Sequence, residues 1–334
     1  MTLHLDSQVI RRLCTPQLAF DAAHQALADQ REGRYQLPPR LDVNVPTGFF
    51  RAMPAALGEY MGAKLMTLAK GVGNRYLLLL YRQDTGELVA TLDAAEVTKL
   101  RTAATTAVAG DLLCPEGTSV LGLVGSGFEA EGHLRAFAAL WSLEKVTVFS
   151  RSPERREAFA ARLGADLGIE IEPVGDVAEV AAASPVTVLC TKDTSPVVDG
   201  GSFAPGAVVL SIGSTRPDLR ELDEATFARA KAVMVDDPRQ VLAESGDVAA
   251  AIAGEAITAD FLVGMAEWDA GGAVCDDSRD LYVFKSVGTA LQDLALGAVL
   301  FAHAKEHGLG REIGDITELK SAAPAGPSTK EGAR

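Results

Sequence analysis

"SVLGLVGSGFEAEGH", residues 119–133, reads as a buried strand, a glycine turn and the first turns of a helix. The apolar run ends at Val124, Gly125 and Gly127 follow, and Phe128, Glu129 and a small Ala130 open the helix. In this G-x-G-x-x-A pattern Gly125 permits the tight turn and Gly127 lets the backbone approach a ligand. Ala130 allows the helix to pack closely on the strand. Ser126, Phe128 and Glu129 then present amides at a helix N-terminus, where unpaired donors and partial positive charge favour a phosphate. The context makes a dinucleotide the expected ligand, because the motif follows a strand and heads a βαβ unit.

Outward from the loop, apolar and β-branched strands are expected at 120–124, 146–150, 169–172, 186–190, 207–212 and 232–236. Helices are expected between them at 128–141, 153–163, 176–183 and 223–230. Near-continuous apolar strands suit a parallel sheet covered on both faces. The fold class is therefore α/β, a Rossmann-type doubly wound parallel sheet. Its second strand ends at Ser150, where such domains often carry an acid for the ribose hydroxyls. Here the chain offers Ser150, Arg151, Ser152 and, one turn on, Arg155. Hydroxyls and guanidinium groups suit a 2′-phosphate, so NADP is expected over NAD, with NAD still possible. Ser152-Pro153 is equally a good helix N-cap, and Arg155 equally a solvated helix residue.

Residues 1–113 have a different rhythm. Thr15-Pro16 opens a helix reaching about Asp29, and strand-like runs follow at "LDVNV", "GAKLMTLA", "RYLLLLY" and "ELVATL". Asp93 and Glu96 have capping-box spacing before a long helix. Near the other end, residues 281–310 read as one strand and one long helix that rejoins the N-terminal part. Residues 318–334 have the composition of a disordered tail.

The 334 residues suffice for two domains, and a formal net charge of −14 argues against nucleic acid and anionic membrane as partners. No apolar run approaches the ~20 residues of a membrane span, and the N-terminus lacks a secretory pattern. Four dispersed cysteines without metal-ligand spacing fit reduced thiols in the cytoplasm and no metal site.

Several ordered segments resemble the ornithine cyclodeaminase/mu-crystallin family over roughly 35–300. These are "LPPR" at 37–40, "MPA" at 53–55, "GAKL" at 62–65, "TKLRTAATTA" at 98–107, "PGAVVLSIGSTRPDLRELD" at 205–223 and "KSVGTALQD" at 285–293. The resemblance implies that the dinucleotide domain, 114–294, is inserted into an α+β substrate and dimerisation domain made of 1–113 and about 295–317. A homodimer is the implied assembly. It also implies that Arg40 and Lys64 hold the α-carboxylate of an imino or amino acid, and that Arg101 and Thr102 reach the cofactor phosphates. Thr191, Ile212, Gly213, Ser286 and Gly288 would line the nicotinamide.

The implied reaction is NAD(P)H-dependent reduction of a 2-imino acid, or the reverse amino-acid dehydrogenation. Lys64 is the candidate for proton exchange with the imine nitrogen. One departure bears on the alternative of an ornithine or lysine cyclodeaminase: where that branch carries a proton-handling aspartate, this chain has Thr215, and a hydroxyl is no base at neutral pH. A carrier that holds NADPH and a small ligand without turnover is the second alternative. His133 is expected to be structural.

Overall fold

The computed structural model describes residues 1–114, 117–272 and 275–317; the expected tail, 318–334, lies outside them. Two sheets of eight strands organise the chain. The second sheet runs, in spatial order, Glu170–Pro173, Lys145–Phe149, Val120–Val124, Val186–Leu189, Val208–Ser211, Leu281–Lys285, Ala230–Val235 and Leu262–Gly264. All its neighbours are parallel. The chain moves outward from Val120–Val124 to one edge, then returns to the other side at Val186–Leu189. This reversal leaves a crevice at the carboxyl ends of those two strands, where ligands of such sheets bind.

The six expected strands are present within one or two residues of their expected limits, and Leu281–Lys285 inserts into the middle of the sheet. Leu262–Gly264 and the short helices Pro238–Glu244, Gly246–Ala253 and Met265–Asp269 were not expected, being too brief to display a period.

The first sheet is mostly antiparallel, in the order Arg311–Glu312, Leu3–Leu5, Leu88–Asp93, Gly73–Arg82, Tyr60–Ala69, Gly48–Leu57 and Tyr35–Gln36. Leu41–Val45 also pairs with Gly48–Leu57. Gly48–Leu57 was not expected, because a proline ordinarily argues against a strand with neighbours on both sides. The register resolves this. Leu41–Val45 pairs with 48–52 and Tyr35–Gln36 with 56–57, so Pro54 faces a gap in the ladder. Arg40 leaves the backbone beside that gap.

The helix Ala290–Glu306 departs from the second sheet and packs its Leu291, Leu294, Leu300 and Phe301 into the core that holds Leu78 and Leu80. The helix Ala94–Leu113 joins the two lobes. Its first half (Ala94, Val97, Ala104) belongs to the first core and its second half (Ala107, Val108, Leu113) to the next. Asp93 caps it through the Ala95 amide, while Glu96 pairs with Arg11 at 2.7 Å instead of closing a capping box. Arg101 therefore sits midway along a rigid helix, at the junction of the lobes.

Candidate active site

The glycine loop occupies the crevice. Gly125 has φ +127°, a conformation that suits glycine, and a Cβ there would lie 2.9 Å from the Cys190 carbonyl oxygen. A Cβ on Gly127 would meet nothing within 4 Å, so the backbone borders open space at the helix N-terminus. Ala130 is fully buried against the sheet. A cavity of about 540 Å³ opens here, lined among others by Gly125, Ser126, Gly127, Ser150, Arg151, Ser152 and Arg155. Ser126 Oγ donates to Ser150 Oγ at 2.9 Å, tying loop to strand end. Ser152 caps the next helix, Arg151 pairs with Asp193 at 2.9 Å, and the exposed Arg155 has no ion-pair partner among the described residues. Amides, hydroxyls and guanidinium groups around that volume fit a phosphorylated dinucleotide.

A second cavity of about 470 Å³ adjoins the first, sharing Cys190, Thr191 and Lys192 with it. Arg40, Lys64, Arg101, Thr102, Glu129, Ile212, Gly213, Ser286 and Gly288 all border it. Arg101 and Thr102, expected at the phosphates, thus lie in the company of Arg40 and Lys64, and neither borders the phosphate-loop cavity. Phe128 borders neither cavity; its exposed ring lies under Lys99, with Nζ 4.4 Å from the centroid.

Strand register builds the cleft wall. Met53 faces Lys64, Arg51 faces Met66 and Phe49 faces Leu68, while Met66 and Leu68 also face Tyr76 and Asn74. Alternate residues of three strands thereby share one face.

The cations are fixed by partners that sequence reading missed. Lys64, 2% exposed, pairs with Asp293 at 2.7 Å, and Arg101 reaches the same carboxylate at 3.0 Å and Gln292 at 2.7 Å. Burial pushes the Lys64 ammonium from 10.5 down to about 8, against the pull of Asp293. Arg40 Nη2 donates to the Gly288 carbonyl at 2.8 Å, and its Nε lies 2.7 Å from Glu244 without the alignment of a directed hydrogen bond. Burial raises the Glu244 carboxyl to about 7, with Arg40 working in the opposite sense.

Gly288 has φ +75°, and a Cβ there would strike Arg101 Nη1 at 2.6 Å. Asp236 holds this turn by accepting from Ser286 Oγ and the Gly288 amide, both at 2.7 Å. The one available signal for Asp293 was a polar pair, Gln292-Asp293, opening an otherwise apolar helix. Glu244 and Asp236 carried none.

Glu129 turns a buried carboxyl toward the cleft, its Oε2 without a hydrogen-bond partner among the described residues, and burial raises its pKa. His133 is fully buried with its rings bonded to Thr106 and the Glu129 carbonyl, and burial lowers it to about 4. No group of His, Cys, Asp and Glu among the described residues could hold a metal ion, and no helix among them is long and apolar enough to cross a membrane.

A dinucleotide loop at the switch point of a parallel sheet, opening onto a cleft lined by buried cations, defines an NAD(P)-dependent oxidoreductase of small anionic substrates. The chain belongs to the ornithine cyclodeaminase/mu-crystallin family, which it matches over residues 2–308. It is 32% identical over 294 residues to the ketimine reductase mu-crystallin of Mus musculus, covering 84% of this chain and 90% of that protein. The structure of Thermococcus litoralis Δ1-pyrroline-2-carboxylate reductase in complex with NADH and L-proline superposes with a TM-score of 0.87 at 28% identity, covering 93% of this chain and all of that one. The iminosuccinate reductase of Paracoccus denitrificans in complex with NAD⁺ superposes equally well, with a TM-score of 0.87 at 25% identity and coverage of 93% and 98%.

Proposed function

We propose that the protein reduces 2-imino acids to amino acids with a nicotinamide dinucleotide, and catalyses the reverse dehydrogenation. One observation carries this reading: Arg40, Lys64 and Arg101 border a single cleft that adjoins the phosphate-loop cavity through Thr191. A planar guanidinium suits bidentate capture of a carboxylate, and two further buried cations add charge in a site of low dielectric. When bound, the dinucleotide supplies the hydride.

Arg40 fixes the α-carboxylate and hence the face of the C=N bond turned toward the second lobe. Lys64 donates a proton to the imine nitrogen, and the C=N electron pair moves onto that nitrogen as hydride reaches C2. The packed wall of Met53, Met66 and Tyr76 limits water, which would hydrolyse the imine to an oxo acid. Thr215, which borders the cleft, cannot act as the base of a cyclodeaminase.

The test is steady-state oxidation of NADPH with a cyclic ketimine or with pyruvate plus ammonia. Arg40→Ala should raise KM for the imino acid about 100-fold while cofactor affinity stays within error. Full activity in that variant would overturn the carboxylate assignment, and absence of turnover in the wild type would favour a carrier.

NADP is the proposed cofactor, because Ser150 stands where a carboxylate would repel the 2′-phosphate and Arg155 is available beside it. Arg155→Glu should weaken NADPH roughly tenfold or more and leave NADH nearly unchanged. Equal effects on both cofactors, measured by fluorescence titration, would contradict the assignment.

A homodimer is also proposed. Leu41, Val43 and Val45 are 66%, 60% and 50% exposed on alternate positions of one strand, with Phe50 beside them. Such an apolar strip on an edge asks for cover.

A further inference from the structure

The strand wall of the cleft carries one cation that the proposed chemistry leaves unused. Arg51 borders the cavity between Phe49 and Met53, and its strand partner directly across is Asp42. Arg51 Nε donates to Asp42 Oδ1 at 2.7 Å and Nη2 to Oδ2 at 2.6 Å, so the carboxylate takes one whole edge of the guanidinium. Around it the wall is largely apolar and polarisable, Phe49, Met53, Met66, Leu68 and Tyr76, with the neutral Asn74 bonded to the Tyr76 hydroxyl. The other cations bordering this end come from the second lobe. Arg216 is held in the same bidentate way by Asp218, at 2.9 and 2.8 Å, and the exposed Lys192 is shared with the phosphate-loop cavity. A substrate anchored by Arg40 and Lys64 would lay its side chain along this wall. A second carboxylate there would meet a guanidinium whose charge Asp42 already offsets and whose Nε–Nη2 edge is taken, so it would have to compete with Asp42 for Arg51 and suffer its repulsion.

We infer that the Asp42–Arg51 pair is a charge filter at the side-chain end of the cleft, admitting 2-imino acids with one carboxylate and an apolar or cyclic side chain and turning away dicarboxylic ones. This rests on the cleft being the imino-acid site, and it makes Asp42 a determinant of specificity that acts through Arg51.

The experiment compares kcat/KM of the full chain with NADPH for Δ1-pyrroline-2-carboxylate and for iminosuccinate formed from oxaloacetate and ammonia. The wild type should prefer the former by about 100-fold. Asp42→Asn, which keeps the shape and releases Arg51, should narrow that ratio about tenfold or more. Adding Arg51→Met should restore it. Calorimetry with the amino acids L-proline and L-aspartate gives a readout without turnover, and the same substitution should strengthen L-aspartate relative to L-proline. Equal use of both imines by the wild type, or a ratio unmoved by Asp42→Asn in a variant that melts normally, overturns the filter alone. Failure to reduce any imino acid overturns the underlying reading with it. Should Asp42→Asn not fold, the smaller Asp42→Ser, which also releases Arg51, takes its place in both the kinetic ratio and the L-aspartate titration, with the same outcomes.

Discussion

Lys64→Met is expected to lower kcat for imine reduction on the order of a thousandfold, the scale of a lost general acid, with little change in cofactor affinity. The side chains are similar in length, and the fold should tolerate the exchange, because Asp293 keeps its 3.0 Å contact with Arg101 when the ammonium is gone. What disappears is, among the described residues, the one proton donor that borders the cleft, pairs with that carboxylate and is brought down to about 8. The pH profile separates this role from a structural one. Burial brings Lys64 down to about 8, so its ammonium is lost as pH rises through that value, well below an exposed lysine. Reduction needs the protonated form, and kcat/KM in that direction should fall above about pH 8. Oxidation of the amino acid needs the neutral form and should rise over the same interval. Lys64→Arg keeps the positive charge, so any residual activity should lose both limbs. An unshifted profile in Lys64→Arg, or a kcat for Lys64→Met within about threefold of wild type, would exclude Lys64 as the proton carrier.

The dinucleotide lobe was legible because each of its cues is local. The loop at Gly125 and Gly127, the β-branched strands and the Ser152-Pro153 cap are all written within a few residues of what they specify. Arg40 and Lys64 came from a resemblance, and nothing in their own neighbourhoods distinguishes them from surface cations. Their partners were invisible for a physical reason. Asp293 lies over two hundred positions from Lys64 in sequence, and only the return of the helix Ala290–Glu306 to the first lobe brings the two charges together. The strand holding Arg51 and Met53 was hidden by Pro54, whose missing donor costs nothing where the ladder is interrupted. Arg101 was placed by analogy at the phosphates; its contacts with Asp293 and Gly288, on the wall of the second cavity, depend on segments nearly two hundred positions away and had no local cue.

A second large effect is expected directly behind the cleft lining. Lys285 ends the strand Leu281–Lys285 fully buried, with Nζ 2.9 Å from Ser211 Oγ, 3.1 Å from Asp247 and 3.9 Å from Glu221. Both carboxylates are fully buried too. Glu221 accepts from the Thr191 amide and hydroxyl at 2.6 and 2.8 Å, from Ser211 Oγ at 2.7 Å and from the Gly213 amide at 2.8 Å. Asp247 accepts from the Glu221 and Leu222 amides at 2.7 and 3.0 Å. One lysine therefore neutralises two carboxylates. Glu221 fixes the ends of two adjacent strands through Thr191, Ser211 and Gly213, and Asp247 holds the backbone of Glu221 and Leu222, while Thr191 and Gly213 are the cleft lining itself.

Lys285→Met removes the cation and leaves two buried anions, which should cost ~3–5 kcal/mol in chemical unfolding of the second lobe. Burial holds the Glu221 carboxyl above its usual range. A group with a raised folded pKa contributes its full stability below its unfolded pKa and loses it as pH rises through the folded one. The deficit of Lys285→Met should accordingly be smallest in acid, where Glu221 is protonated, and grow as pH rises. Adding Glu221→Gln removes one of the two stranded charges while keeping an acceptor for Thr191, and the double variant should recover part of the loss. A loss independent of pH, with no recovery in the double variant, would mean that Lys285 contributes packing of its aliphatic stem and not its charge. In that case the ends of the two strands would be set by their ladder alone.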